Sequence, residues 1–214
     1  MKDDYYASRF VPDPSRAIVW KEIVRHHTPF IVSDATVLDL GAGYCDFINN
    51  VVTTGKRYAV DHSPELSHYA APGVIQIQSS VLEFQQILDH SVDVVHASNL
   101  LEHLSDDELT QTISEIRRVL KDKGILILMQ PNYYYAYRSY FDDPTHKKVF
   151  SHGALESFLI SHHFDIKLMK PKFLPFSLRS RPSIIPVHPL IIRAYLNSPI
   201  KPFAGQMLFV AEKK

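Results

Sequence analysis

The 214-residue chain has a single cysteine and no excess of either charge. Because Cys45 has no second cysteine to pair with, an internal disulfide is excluded, which favours a reducing compartment such as the cytoplasm. The 23 basic and 23 acidic side chains cancel, so no overall charge attracts the protein to nucleic acid. We therefore expect a cytoplasmic protein whose partner is not a nucleic acid.

Long hydrophobic runs are also missing from the chain. Its longest apolar segments, such as the one around 125–129, have about six residues, whereas a membrane-spanning helix needs roughly 20. The first residues, MKDDYY, lack the basic and apolar pattern of a secretory signal. A chain of this length can bury one core but not two. We predict one domain over residues 1–214 without a membrane span, as a monomer or a homodimer.

Short apolar runs alternate with helix-like segments up to about residue 130. Each run is followed by turn residues, and we interpret the runs as strands at Thr36–Leu40, Arg57–Asp61, Val74–Ile77, Val92–Ala97 and Gly124–Gln130. This alternation is typical of a parallel sheet covered on both faces. Two later runs, at 164–170 and 206–213, would complete a sheet of seven strands.

Helix signals are clearest in the segment after residue 104. Ser105 and Glu108 have the spacing of a capping box, which predicts a helix over Asp106–Lys121. Gly124 is expected as its left-handed C-cap. A first helix is predicted from Pro14 to about His26, with Pro14 in the first helical position.

Residues 131–150 and 171–205 differ from the rest of the chain. They are rich in proline, tyrosine, phenylalanine and basic residues, and they have no clear helix or strand period. We interpret both segments as excursions from the sheet that cap a site.

The stretch VLDLGAGYC, residues 37–45, combines a predicted strand with a glycine turn that opens a helix. Gly41 and Gly43 permit a tight turn whose backbone N–H groups approach a ligand at the helix N-terminus. A tight turn with no ligand is the alternative, because a glycine-rich loop alone is a weak signal.

Asp61 ends the second predicted strand, 20 positions after Gly41. In a Rossmann-like fold this position faces a ribose, whose two neighbouring hydroxyls can donate to a carboxylate. The alternative is a turn or cap residue, but Ser63 and Pro64 can supply the cap and first turn of the next helix. We therefore expect the Asp61 carboxylate to be free for a nucleoside-containing cofactor.

Two cofactor classes compete at this point, nicotinamide dinucleotides and S-adenosylmethionine. The dinucleotide fingerprint places a third glycine three residues after the second, where this sequence has Asp46. Asp39, two residues before Gly41, suits a cofactor with a positively charged amino acid end. A nicotinamide-dependent oxidoreductase is therefore the less favoured alternative.

Four motifs together resemble those of the class I S-adenosylmethionine-dependent methyltransferases, specifically the small-molecule type 11 branch. They are VLDLGAGYC, YAVDHSPEL, VDVVHASNLLEHL and EIRRVLKDKGILILMQPN, in this order. The resemblance covers about residues 35–132. It implies an α/β, Rossmann-like fold with a seven-stranded, mostly parallel sheet, helices on both faces and an antiparallel last strand. It also implies S-adenosyl-L-methionine as methyl donor and S-adenosylhomocysteine as product.

The resemblance assigns the cofactor contacts to Asp39, Gly41, Ala42, Gly43, Asp61, His62, Ser80, Val81, Ser98 and Asn99. Asp39 would support the methionine end, against which the glycine turn would pack, and the backbone at 98–99 would hold it. Asp61 would bind the ribose hydroxyls, and His62 would lie along the adenine.

Two positions depart from the family pattern. Cys45 stands where the family has a third glycine, and we expect it in an early helical position. Ser80 replaces an acid that often meets the adenine amino group, and its hydroxyl or the Val81 backbone could take over that contact. Cofactor binding should survive both changes.

The segment 131–150 carries the candidate acceptor residues. It contains five tyrosines, and aromatic rings suit a planar or amphipathic acceptor. Asp142, Asp143 and His146 could bind hydroxyls or accept a proton. The same three side chains permit a metal site, but they lack a fourth ligand, so we predict none. An ordinary packed loop is the alternative interpretation.

Glu102 and His103 follow the fourth predicted strand, and the resemblance alone suggests that they border the acceptor pocket. The alternative is a solvated acid and a histidine packed under the next loop. We predict His146, Asp143 and His103 as the catalytic residues.

The predicted reaction is methyl transfer from S-adenosylmethionine to a small molecule. A hydroxyl of a sugar or another polar metabolite is the first choice, because of the polar and aromatic segment 131–150. The hydrophobic segment 171–205 keeps a lipid or quinone acceptor open. A cofactor-binding module without turnover is the alternative from another class.

Overall fold

The computed structural model describes residues 14–175 and 187–214. The strands are β1 (Val37–Leu40), β2 (Arg57–Asp61), β3 (Val74–Gln78), β4 (Val92–Ser98), β5 (Leu120–Pro131), β6 (Phe164–Pro175) and β7 (Ala204–Lys213). The α-helices are α1 (Pro14–His27), α2 (Leu66–Tyr69), α3 (Asp106–Val119), α4 (Tyr133–Ala136), α5 (His152–Ser161) and α6 (Pro189–Asn197). None of these helices is both long and apolar enough to span a membrane.

The seven strands form one sheet in the order β3-β2-β1-β4-β5-β7-β6. Strands β1 to β5 pair in parallel. Strand β7 is inserted between β5 and β6 and runs antiparallel to both. The predicted Rossmann-like sheet with an antiparallel last strand is confirmed. The carboxyl ends of the parallel strands therefore meet at one edge, where ligands bind in open α/β folds.

Helices cover both faces of the sheet, as predicted. On one face, α3 and α5 bury Ile113 and Leu155 in a core with β-strand residues such as Leu126. On the other face, α1 and α6 bury Ile23 and Leu196. Each helix turns an apolar stripe toward the sheet, so burial of that stripe fixes the two layers on either side.

The predicted capping box of α3 is confirmed. The Ser105 hydroxyl accepts from the Glu108 N–H at 3.3 Å, and the Glu108 carboxylate accepts from the Ser105 N–H at 2.7 Å. These bonds satisfy donors that the start of a helix leaves without partners. They begin α3 just after the short turn that carries Glu102 and His103.

The end of α3 differs from the prediction. The helix stops at Val119, and β5 begins at the next residue rather than at Gly124. Lys123, not Gly124, has the left-handed conformation, with φ 61°. Gly124 has a different role, because a Cβ there would lie 2.8 Å from the carbonyl oxygen of Lys121. The close approach of the backbone, not a helix cap, requires the glycine.

The segment after β1 also differs, because no α-helix follows the glycine turn. Turns lead into a 3-10 helix at Ile48–Asn50. Cys45 has φ 58°, so it is not in an early helical position. A left-handed conformation costs a non-glycine residue about 1–2 kcal/mol, which explains why the family has glycine here. Full burial of the Cys45 side chain in the core offsets this cost.

The predicted excursions are only partly irregular. Residues 131–150 contain α4 and a 3-10 helix at Tyr140–Asp142. The segment predicted at 171–205 contributes the end of β6, through Pro175, and the whole of α6. Its remaining part at 176–186 lies outside the described residues.

Candidate active site

The glycine turn is bound to the neighbouring strand β2. The N–H groups of Gly41 and Ala42 both donate to the Val60 carbonyl, at 2.9 and 3.1 Å. The Gly43 N–H donates to Oδ2 of Asp61 at 2.8 Å. The expectation that these N–H groups face a ligand is therefore wrong: β2 uses all three. The turn offers a cofactor its shape rather than its donors.

Gly41 holds this turn against the end of β4. Its φ is 69°, which favours glycine. A Cβ would also lie only 3.1 Å from Cδ1 of Leu100. The turn and the residues after β4 thus lie together at the carboxyl edge of the sheet.

Asp61 is buried at this edge and is not free. Its Oδ1 accepts from the Ser63 N–H at 2.9 Å, while Oδ2 accepts from Gly43. The next helix, α2, begins only at Leu66, so Asp61 itself orders the chain that leaves β2. Each carboxylate oxygen keeps a second lone pair. The side chain therefore fits both roles, a turn residue and an acceptor for ribose hydroxyls.

Asp39 lies beneath the turn, paired with a histidine that sequence reasoning missed. Its Oδ1 is 2.8 Å from Nδ1 of His96, and the two residues are only 3% and 1% exposed. They face each other across β1 and β4 in register. The His96 ring stacks on Phe47 at 3.7 Å. A polar pair at matching positions of two adjacent apolar strands was the available signal.

Burial determines how Asp39 can act. It raises the pKa of the carboxyl, while the hydrogen bond with His96 lowers it. Because the side chain is enclosed, the structure supports a positioning and electrostatic role rather than an open contact surface.

A chain of hydrogen bonds lies next to this pair. Lys170 Nζ is 2.8 Å from Nε2 of His26, the Nδ1 atoms of His26 and His27 are 3.4 Å apart, and Nε2 of His27 is 3.3 Å from Sδ of Met129. Burial lowers the pKa of His26 to about 4 and that of His27 well below its usual value. Both imidazoles are therefore neutral near pH 7. Since the ammonium can only donate, His26 accepts at Nε2 and donates from Nδ1 to His27.

The remaining predicted cofactor residues form a more open rim. His62, Ser80 and Asn99 are exposed, and Val81 and Ser98 are half-buried. They follow or end strands β2, β3 and β4. Gln206 at the start of β7 donates to Oδ1 of Asn99 at 2.9 Å. A buried carboxylate with an open polar rim beside it fits the adenosine part of the proposed cofactor.

Glu102 lies at the same edge, in the 3-10 helix Leu101–His103. It is 1% exposed, and neither carboxylate oxygen has a hydrogen-bond partner among residues 14–175 and 187–214. Burial raises its pKa to about 8. The alternative of a solvated acid is therefore wrong.

Backbone hydrogen bonds bring the loop with His146 onto this turn. The N–H groups of Lys147 and Lys148 donate to the Glu102 carbonyl at 2.8 and 3.0 Å. The Tyr140 hydroxyl donates to the Lys148 carbonyl at 2.7 Å. His146 consequently packs on His103, with ring centroids 4.9 Å apart.

Asp143 connects the two histidines. Its Oδ1 accepts from the Thr145 hydroxyl at 2.6 Å, and that hydroxyl is 2.9 Å from Nδ1 of His103. Its Oδ2 is 3.5 Å from Nε2 of His146. The structure thus brings together the three predicted catalytic residues, together with Thr145, which sequence reasoning missed. Asp142 is exposed and belongs to no such cluster.

A groove of about 370 Å³ lies between α1, β6 and α6. Its lining includes Glu22, His26, Lys170 and Arg193, and contains none of the predicted site residues. A search for the site by cavity volume alone would therefore select this groove. The charged and polar side chains of the predicted site lie instead at the carboxyl edge of the sheet.

Comparison with known proteins indicates the class of the enzyme. Residues 38–128 match the family model described as a methyltransferase domain. Residues 38–128 therefore carry a methyltransferase domain. This methyltransferase uses S-adenosylmethionine as its cofactor, and the matched segment contains every predicted cofactor residue. No curated protein matches the sequence.

Solved structures share the fold of the methyltransferase at low sequence identity. A SAM-dependent methyltransferase from Archaeoglobus fulgidus is 21% identical with a TM-score of 0.68, and the match covers 92% of this chain and 94% of that one. A methyltransferase complexed with the Trm112 activator from Haloferax volcanii is 16% identical, TM-score 0.69, with 99% and 92% covered. A SAM-dependent methyltransferase from Aquifex aeolicus is 17% identical, TM-score 0.62, with 94% of each chain covered.

Proposed function

We propose that the methyltransferase transfers the methyl group of S-adenosylmethionine to a hydroxyl of a small polar molecule, such as a sugar. The observation that carries this proposal is the cluster of His103, Asp143 and His146 beside the cofactor edge. The cofactor supplies an activated methyl group, so the protein has to align donor and acceptor and manage the acceptor proton.

The residues divide into a donor set and an acceptor set. For the donor, we propose that Asp61 binds the ribose and that the glycine turn and residues 98–99 receive the methionine end. His62, Ser80 and Val81 would then flank the adenine, and Asp39 would act from below through its charge. This assignment follows their positions at the ends of β1, β2, β3 and β4.

An aromatic surface next to the acceptor cluster supports a sugar-like acceptor. Tyr134, Tyr135, Tyr137 and Phe141 are 66%, 38%, 54% and 57% exposed. Lys172 lies 4.5 Å above the Tyr135 ring. Exposed rings beside polar groups suit a ligand with apolar faces and hydroxyl edges. We therefore assign acceptor binding to this surface.

A lipid or quinone acceptor is the second candidate. Leu190, Ile191, Ile200 and Phe203 are exposed around α6 and the loop after it. Exposed apolar groups on one segment suit a hydrophobic ligand. They lie in the C-terminal segment, whereas the acceptor cluster lies beside residues 131–150, so the polar acceptor is favoured.

The test is a methyl-transfer assay with isotopically labelled S-adenosylmethionine. Separate panels of sugars and sugar nucleotides, quinols, and phospholipids in detergent would be offered, with mass spectrometry of the products. Labelled product from the sugar panel supports the proposal. Product from the hydrophobic panels alone overturns it in favour of the second candidate. Cofactor binding with no product from any panel favours a non-catalytic binding module.

A variant separates acceptor from donor functions. His103→Ala should reduce methyl transfer by about a hundredfold or more, with unchanged affinity for S-adenosylhomocysteine in calorimetry. His68→Ala is the matched control, because Nδ1 of this exposed imidazole lies 2.7 Å from the carboxylate of a surface acid, Glu65. Loss of cofactor affinity in His103→Ala would assign His103 to the donor site instead.

The compartment, the class of partner and the oligomeric state of the protein stay predictions. We propose a cytoplasmic enzyme that acts on a small molecule without nucleic acid. Light scattering on the purified protein distinguishes a monomer from a homodimer.

A further inference from the structure

We propose that Glu102, His103 and His146 bind a divalent transition-metal ion. The sequence suggested a different set, with Asp142 and Asp143, and no metal was predicted from it. In the fold, one ligand atom from each of Glu102, His103 and His146 lies within 4.8 Å of the other two.

The Glu102 carboxylate is the first reason. It is 1% exposed, and the described residues give neither of its oxygens a hydrogen bond. A carboxylate in this state is costly to bury. The buried carboxylates of Asp39 and Asp61 are both hydrogen-bonded. A cation between Glu102 and the imidazoles would provide the positive charge that the described part of the chain does not place there.

The orientation of the two imidazoles is the second reason. The Thr145 hydroxyl gives its proton to Asp143, so it accepts from Nδ1–H of His103. The lone pair of His103 is then on Nε2. Asp143 lies beside Nε2 of His146, which places that lone pair on Nδ1. Metal-binding histidines typically donate their other N–H to a carboxylate or a similar acceptor. Asp143 and Thr145 are thus positioning residues.

The ligand types indicate the class of ion. Two imidazole nitrogens and one carboxylate suit Zn²⁺, Mn²⁺ or Fe²⁺, whereas Mg²⁺ and Ca²⁺ prefer oxygen ligands. Zinc binds such atoms at about 2.1 Å, so the three side chains must draw slightly closer together. Three protein ligands leave a coordination position open, as in catalytic zinc sites.

Ion binding itself is independent of the proposed function. If the acceptor is a hydroxyl compound, its oxygen could occupy the open position. That consequence rests on the proposed function, because a bound cation eases loss of the hydroxyl proton.

The experiment uses the full chain without a polyhistidine tag, treated with a chelator and then titrated with Zn²⁺ in a calorimeter. We expect one equivalent of zinc to bind without cofactor or acceptor. Glu102→Gln, His103→Ala and His146→Ala should each weaken binding by at least a hundredfold, because loss of an outer partner alone costs about 10–100-fold. Asp143→Asn should weaken it about tenfold. Co²⁺ should give the visible spectrum of a site with nitrogen and oxygen ligands.

The matched control is again His68→Ala, which removes a surface imidazole beside an acid. Circular dichroism and the urea midpoint test whether each variant is folded. If an imidazole variant fails to fold, Glu102→Gln, the most conservative substitution, still tests the site. The proposal is overturned if the natural protein does not bind one equivalent of zinc. It is also overturned if zinc binding is retained in Glu102→Gln but lost in His68→Ala. S-adenosylhomocysteine affinity, measured in parallel, tests the donor site separately, so either proposal can fail alone.

Discussion

The proposed donor side and the proposed acceptor side of the sheet edge differ in whether their buried acids are hydrogen-bonded. On the donor side, Asp61 accepts two backbone N–H groups and Asp39 is paired with His96. On the acceptor side, both oxygens of Glu102 are buried and receive no hydrogen bond from the part of the chain that the structure describes. The hydrogen-bonded acids hold the fold together, whereas the unsatisfied acid costs stability.

The strongest test of this contrast breaks the buried Asp39–His96 pair. His96→Leu leaves the Asp39 carboxylate enclosed without its partner, so stability should fall by about 3–5 kcal/mol. Urea denaturation measures the loss. The double variant with Asp39→Leu should recover part of the loss, because it removes the unpaired acid. Equal stability of His96→Leu and the natural protein would show that the pair is not structural.

Asp61→Ala should give the next largest effect and should affect both stability and binding. A hydrogen bond to a charged group contributes about 1.5–3 kcal/mol. Because the bonds to Gly43 and Ser63 share one carboxylate, their contributions are not fully additive, and their joint loss should reduce stability by roughly 2–4 kcal/mol. S-adenosylhomocysteine affinity should fall by roughly ten- to a hundredfold. Urea denaturation and calorimetry measure the two effects. Asp61→Asn keeps one acceptor oxygen, so its stability and affinity should lie between those of the natural protein and Asp61→Ala. If the affinity is unchanged in both variants, the ribose binds elsewhere.

Glu102→Met should raise, not lower, the free energy of unfolding of the metal-free protein. Replacing an unsatisfied buried acid with an apolar side chain of similar length removes a desolvation cost of about 1–3 kcal/mol, so the protein should become more stable. Thermal unfolding in the presence of chelator measures the change. The same variant should lose any stabilisation by Zn²⁺. A destabilised metal-free variant would mean that Glu102 is already satisfied, and the contrast with Asp61 would disappear.

The smallest separable effect is the contribution of His26 to acid sensitivity. Its pKa is about 4 in the folded protein, below its ordinary value of 6.5. The unfolded chain therefore binds more protons between these values, and stability should fall as the pH drops from about 6.5 to 4. His26→Gln should make the urea midpoint less dependent on pH in this window. An unchanged pH profile would assign the acid sensitivity to other groups such as His27.

Local patterns predicted the elements well where the chain itself contains the signal. The strand at Arg57–Asp61 has the predicted bounds, and the capping box of α3 starts the helix at Asp106. The predicted end of α3 was wrong because Leu120 pairs with Val92 and so already belongs to the sheet. The prediction that Cys45 lies in an early helical position was also wrong, since burial of its side chain in the core outweighs its unfavourable backbone conformation.

The cofactor motifs were visible in the sequence because each lies within one strand and the turn that follows it. Asp61 was placed correctly at a strand end, but its bond to Gly43, 18 positions away, was not predictable from either segment. The same holds for His96, whose partner Asp39 is 57 positions distant.

The sequence by itself determined the alternation of strands and helices and the cofactor class. These depend on period, spacing and contiguous motifs, which are local properties of the chain. Only the tertiary structure decided which acids are satisfied and which histidines share Asp143, because His103 and Thr145 are 42 positions apart. Hydrogen bonding and burial are properties of three-dimensional neighbours, so the donor and acceptor sides could be told apart only after folding brought those neighbours together.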